Sequence, residues 1–106
     1  MGVNDCYIYL DNLIATQDFS GIGKNFTAML YLTGEESGYV YLSYTDGKKC
    51  LEAKKHDSAN IFLSMSTDVF EQIVLGQTDV LRAFTTGKIL AKGNVILALQ
   101  IYNSFK

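Results

Sequence analysis

Residues 60–101 read NIFLSMSTDVFEQIVLGQTDVLRAFTTGKILAKGNVILALQI, and this stretch decides the fold. It opens with an alternating strand, Ile61, Leu63 and Met65 on one side, that stops at Ser66-Thr67-Asp68. A helix follows, since Asp68 and Glu71 have capping spacing and Gly76 stands where a C-terminal glycine should. Thr78-Asp79 begins a second short helix carrying Leu81 and Phe84. Gly87-Lys88 leads into a strand, Ile89-Leu90-Ala91, and Gly93-Asn94 turns the chain into a last helix. On that helix Val95, Leu97, Ala98, Leu99, Ile101, Tyr102 and Phe105 spread over an arc of roughly 200°. A surface helix on one core needs an apolar stripe of only about 100°. The last helix therefore either lies wedged between other elements or keeps an apolar face for another use.

The collinear order of strand, S-T-D-V-F-E-Q-I helix, G-Q-T-D, L-R-A-F, T-G-K-I-L-A-K-G-N and V-I-L-A-L-Q-I resembles the sterol carrier protein-2 (SCP-2) domain family. The likeness runs without gaps from about Asn60 to Ile101, and the spacing makes it specific, since no one of these motifs is diagnostic alone. The resemblance implies an intracellular lipid-binding or lipid-transfer domain with an apolar cavity between helices and a sheet. The opening helix looks shorter than the family's, which leaves open what part of a ligand site it supplies.

Working back towards the start, Met1 to about Gln17 reads as that opening helix, capped by Asn4 or Asp5, with Cys6, Tyr7, Leu10, Leu13 and Ile14 on one broad face. Asp18 to Lys24 is a loop. Its Gly23-Lys24 pair invites a phosphate-loop reading that fails, because Asp18 stands where the first glycine is required and Asn25 where a Ser or Thr would meet a metal. Asn25 to Ala53 is a β-meander. Phe26, Ala28, Leu30 and Leu32 share one face of its first strand and Thr27, Met29 and Tyr31 the other. Val40 and Leu42 point inward from the second strand and Tyr39, Tyr41 and Ser43 outward, and Asp46-Gly47 is a two-residue hairpin turn into a third. The expected class is α+β, a five-stranded mostly antiparallel sheet with helices covering its one consistently apolar face.

Composition narrows the function. With 106 residues and 48% hydrophobic content, residues 1–106 suit one globular domain. A net charge of −2 lacks the basic excess that phosphate backbones require, so nucleic acid is not an expected partner. No apolar run approaches the roughly 18–20 residues of a spanning helix, and no leader pattern opens the chain, so a cytoplasmic location is expected. His56 neighbours Asp57 and Ser58, but triads are assembled from separated positions, and a solvated loop histidine is the expectation. Cys6 and Cys50 are too few for a metal cluster. They read as free, partly buried thiols, with a bridge between them left open. Lys48-Lys49 and Lys54-Lys55 read as a solvated edge that discourages strand pairing, or as a weak attraction to anionic membrane surfaces. No catalytic residue, metal or cofactor is expected.

If the resemblance is followed, the sheet offers Leu30, Leu42, Leu63, Met65 and Ile89 to a ligand. The helices offer Phe70, Ile73, Val74, Leu81, Phe84, Leu97, Ile101 and Tyr102. Only the tip of Tyr102 in this set forms hydrogen bonds, so such a pocket selects by shape and apolarity. The expected ligand is a fatty acyl chain, an acyl-CoA or a sterol-like lipid, held by a monomer or homodimer with transient membrane-surface contact. The rival readings are an interaction or dimerisation module using the last helix and, last, an enzyme with an apolar substrate pocket.

Overall fold

A computed structural model describes residues 2–23 and 25–104, so Lys24 and Phe105 lie outside the described residues. Helix α1 (Val3–Ala15) precedes a meander of β1 (Phe26–Thr33), β2 (Gly38–Thr45) and β3 (Lys48–Glu52). Then come β4 (Ile61–Ser66), α2 (Thr67–Val74), α3 (Val80–Thr85), β5 (Leu90–Gly93) and α4 (Val95–Ser104). The sheet order is β3-β2-β1-β4-β5. Every pairing is antiparallel except that of β1 with β4, which is parallel.

Local chemistry explains the boundaries. Asp46 and Gly47 both take positive φ, 51° and 79°, the geometry a two-residue hairpin requires. Helix α2 is capped by Ser66 rather than Asp68: the Ser66 hydroxyl accepts from the Val69 N–H at 3.1 Å, because β4 runs straight into the helix. It ends in a Schellman motif, with Gln77 N–H donating to the Gln72 carbonyl at 2.8 Å and Gly76 at φ 76°. Asp79 caps α3 through the Arg82 N–H at 2.7 Å, and Asn94 caps α4 through the Leu97 N–H at 3.0 Å. Neither Asn4 nor Asp5 caps α1. Gly2 holds that position, and its N–H donates to the Asp5 carboxylate at 3.1 Å.

Asn60 joins three elements. Its side-chain oxygen accepts from the Thr27 N–H at 2.8 Å, its own N–H donates to the Thr27 hydroxyl, and its carbonyl accepts from Asn94 at the start of α4. Gly93 passes so close that a Cβ there would overlap the Asn60 carbonyl, and its φ of 87° also requires glycine.

The helices lie on the apolar face, where two clusters form. One gathers Cys6, Leu32, Val40, Met65, Val69, Phe70, Ala83 and Ile89. The other gathers Ile14, Phe19, Phe26, Leu42, Tyr44, Ile61 and Ile101. The opposite face is less bare than its alternation suggests, since Met29 and Tyr41 are buried. The β3–β4 connection crosses that face and lays His56 on Tyr41, ring centroids 3.6 Å apart. His56 is thus not a free solvated histidine. Its Nε2 is shielded and without a hydrogen bond, 3.6 Å from the Glu52 carboxylate.

The lysine pairs also divide. Lys48, Lys54 and Lys55 are exposed, but Lys49 turns onto the helix face and its ammonium donates to the Ile14 and Gln17 carbonyls at 2.7 and 2.6 Å. Cation and orphan carbonyls at the end of α1 satisfy each other there. Both cysteines are free, Cys6 buried and Cys50 exposed rather than partly buried.

Candidate functional site

Strand register fixes the floor of the site. Leu30, Leu63 and Ala91 lie in one row across β1, β4 and β5, all on the helix face, with Met65 one row along. Above this row α1 brings Tyr9, Leu10 and Leu13, and α2 brings Phe70, Ile73 and Val74. Helix α3 brings Val80, Leu81 and Phe84, and α4 closes the roof with Val95, Ala98, Leu99, Ile101 and Tyr102. These side chains and Ile89 surround an apolar cavity of about 390 Å³. Among the described residues no charged one lines it, and the phenol groups of Tyr9 and Tyr102 are the strong hydrogen-bonding side chains in its wall. Tyr9 is set by an edge contact with Phe70, centroids 5.9 Å apart. Leu81 and Phe84, 56% and 40% exposed, mark the lip where the cavity meets solvent.

All the sequence-predicted site residues come together here except Leu42 and Leu97. Leu42 is on the expected face but in the next row, paired with Ala28 beside Ile61, and is buried in the aromatic cluster. Leu97 packs on that same cluster. Helix α4 is therefore a partition, with Leu97 turned to a filled region while Val95, Leu99 and Tyr102 face a vacant one. This accounts for its wide apolar arc, with Ile96 left over at 73% exposure. Sequence reasoning missed the α1 contribution, although the three- and four-residue recurrence that placed Leu10 and Leu13 on one face was the available signal.

A second depression of about 440 Å³ lies on the opposite face, lined by Met29, Phe62 and the loop residues Lys55 to Ala59. Lys55, Asp57 and Ser58 are exposed there. His56 is turned to Tyr41 and Glu52, and its ring does not form a base–nucleophile pair with Ser58. Although larger, this hollow has neither the continuous apolar wall nor the enclosure of the first. Among the described residues no group of three potential ligands gathers to hold a metal, and no helix is long and apolar enough to cross a membrane.

Comparison with known proteins agrees with the fold. A sequence model of the SCP-2 sterol transfer family matches residues 21–106. Hydroxysteroid dehydrogenase-like protein 2 of Mus musculus is 34% identical over 71 residues, which is 66% of this chain and 14% of that protein. The chain thus spans about a seventh of the length of that relative. A fatty acid-binding protein of Yarrowia lipolytica is 44% identical over 48 residues, 45% of this chain and 37% of that protein. Among solved structures, the apo form of sterol carrier protein 2 from Yarrowia lipolytica superposes with a TM-score of 0.61 at 31% identity, covering 76% of this chain and 66% of that one.

Proposed function

The chain belongs to the SCP-2 sterol transfer family, and from that premise we propose that residues 1–106 act as one lipid-binding unit that carries a single acyl chain in the cavity beneath α4. The carrying observation is a wall that, among the described residues, is apolar from floor to lip and holds no charged side chain. Such a wall favours a hydrocarbon tail and leaves a carboxylate or a larger head group outside, in water. Tail-first entry follows, with the head at the lip formed by Leu81 and Phe84.

Size selects among the lipids that the family name and the similar proteins suggest. A methylene occupies about the 30 Å³ that a water molecule takes in the liquid. A cavity of about 390 Å³ then accommodates roughly a dozen carbons. A sterol, with more than twice as many, overfills it unless the helices move apart. Burying a dozen methylenes gains on the order of 10 kcal/mol before the costs of association, enough for useful affinity. An empty cavity of this size, were it fully enclosed, would cost about 9 kcal/mol at about 24 cal/mol per Å³. That is comparable to the whole stability of a small domain. Ligand and fold are therefore coupled, as suits a carrier.

Native mass spectrometry and thermal melting with fatty acids of graded length, their CoA esters and cholesterol test this reading. At free ligand a hundredfold above Kd the expected stabilisation is about 2.7 kcal/mol, raising the melting midpoint by on the order of 10 °C. The shift should grow with chain length and level off near a dozen carbons. No shift with any acyl ligand removes the carrier reading, and a larger shift with cholesterol replaces the acyl chain by a sterol.

A further inference from the structure

The charges of this chain are unevenly divided. Of its nine basic and eleven acidic side chains, residues 1–79 carry five and eleven, while residues 80–106 carry four and none. The acid-free segment is also the one that supplies most of the cavity's lip, Leu81 and Phe84 from α3 and Leu99 from α4. Arg82 lies between those two α3 residues and Lys88 follows in the turn after the helix, both exposed. The acid nearest in sequence, Asp79, already accepts the Arg82 backbone N–H as the helix cap. Single exposed apolar residues are ordinary, but here several are continuous with an apolar cavity and flanked by cations alone on their own segment.

We propose that the protein docks on a bilayer containing anionic lipid through this lip, with Arg82 and Lys88 at the head groups and Leu81 and Phe84 among them. The proposal rests on the reading of the cavity as a lipid site. Its physical basis is the path of the tail. Each methylene that crosses water raises the penalty nearly fourfold, and a lip pressed into the head-group layer lets the chain pass from bilayer to cavity without that crossing. Anionic lipid supplies the charge that an overall acidic chain otherwise repels, and it orients the molecule lip-first. The Lys48-Lys49 pair is a poorer candidate, because Lys49 is engaged by the carbonyls at the end of α1.

Co-sedimentation of the purified protein with vesicles of phosphatidylcholine alone, and of phosphatidylcholine mixed with phosphatidylserine, tests the proposal. Binding should favour the mixed vesicles and weaken with added salt. The paired substitutions Arg82→Ala and Lys88→Ala should lower affinity about thirtyfold, at roughly fivefold per cation. Lys54→Ala with Lys55→Ala should lower it no more than a few-fold. Phe84→Trp, at a half-exposed position, should shift its emission to the blue on vesicle addition and be quenched by brominated lipid. Equal binding to the two vesicles, a larger loss in the Lys54 and Lys55 variant, or a vesicle-independent dimer that buries the Phe84→Trp reporter would each overturn it. Titration of wild-type protein with a fluorescent fatty acid, without vesicles, separates the two readings. Fatty acid binding without vesicle binding removes the docking alone, and vesicle binding without fatty acid binding removes the cavity reading alone.

Discussion

Over Phe26 and Tyr44 the loop between α1 and β1 drops Phe19 into the sheet, completely buried, and three rings meet at centroid distances of 5.5 and 5.7 Å. Over Leu30 and Leu63, two rows along the same strands, the cover is mainly aliphatic and comes from four helices, and about 390 Å³ stays vacant. Both regions are lined mainly by apolar side chains. They differ in how the cover arrives: an aromatic ring on a pliant loop can settle until contact is complete, whereas short helices with fixed caps at Ser66, Asp79 and Asn94 hold their side chains at set heights. One region is filled and stabilises the molecule, and the other is left vacant.

The most severe way to break the contrast is at the filled end. Phe19→Ala should destabilise the protein by about 3–5 kcal/mol, measured by urea unfolding, and should leave the affinity of the surviving folded protein for a fatty acid nearly unchanged. A large loss of affinity instead would mean that the two regions form one packing unit. At the vacant end, Ala91→Phe places a ring over the floor from a strand position that suits an aromatic residue. Unfolding stability should change by less than about 1 kcal/mol, while fatty acid affinity falls at least tenfold, about 1.4 kcal/mol, in isothermal titration. The smallest effect sharpens the comparison through the cysteines. Burial raises the Cys6 thiol to about 11, with nearby carboxylates adding to the shift. The unfolded thiol ionises from about pH 9, so the contribution of neutral Cys6 to stability is fully present below that pH and declines as pH rises towards 11. At pH 8 iodoacetamide should therefore modify Cys50 promptly and Cys6 only through opening events, which an acyl ligand should slow further. Prompt modification of Cys6 would show that the helices above the cavity part readily.

Most elements of the fold were legible because their signals are local. Asp46-Gly47 and Gly76 each require a positive φ, and the alternation in β1 and β4 names the buried face correctly. What alternation cannot give is position along the face. Leu30 and Leu42 satisfy the same pattern, yet strand register puts one in the cavity floor and the other in the aromatic cluster. Leu97 and Ala98 are neighbours on α4, and only the sheet beneath decides which of them meets the vacancy. Phe19 carried no periodic signal because it lies in a loop, turned inward where the Asp18 carboxylate accepts the Ser20 N–H at 2.9 Å. Alternation places Met29 and Tyr41 on the outward face, but their burial there depends on a connection without any repeat of its own.

The parallel pairing of β1 with β4 bears on the order in which the molecule assembles. The meander closes through two short connections, residues 34–37 and Asp46-Gly47, whereas Thr27 and Asn60 must find each other across 33 positions of chain, a search slowed by loop-closure entropy. Until they meet, α4 lacks its anchor and the floor lacks Leu63. The vacant region beneath α4 is accordingly expected to close after the hairpins have formed.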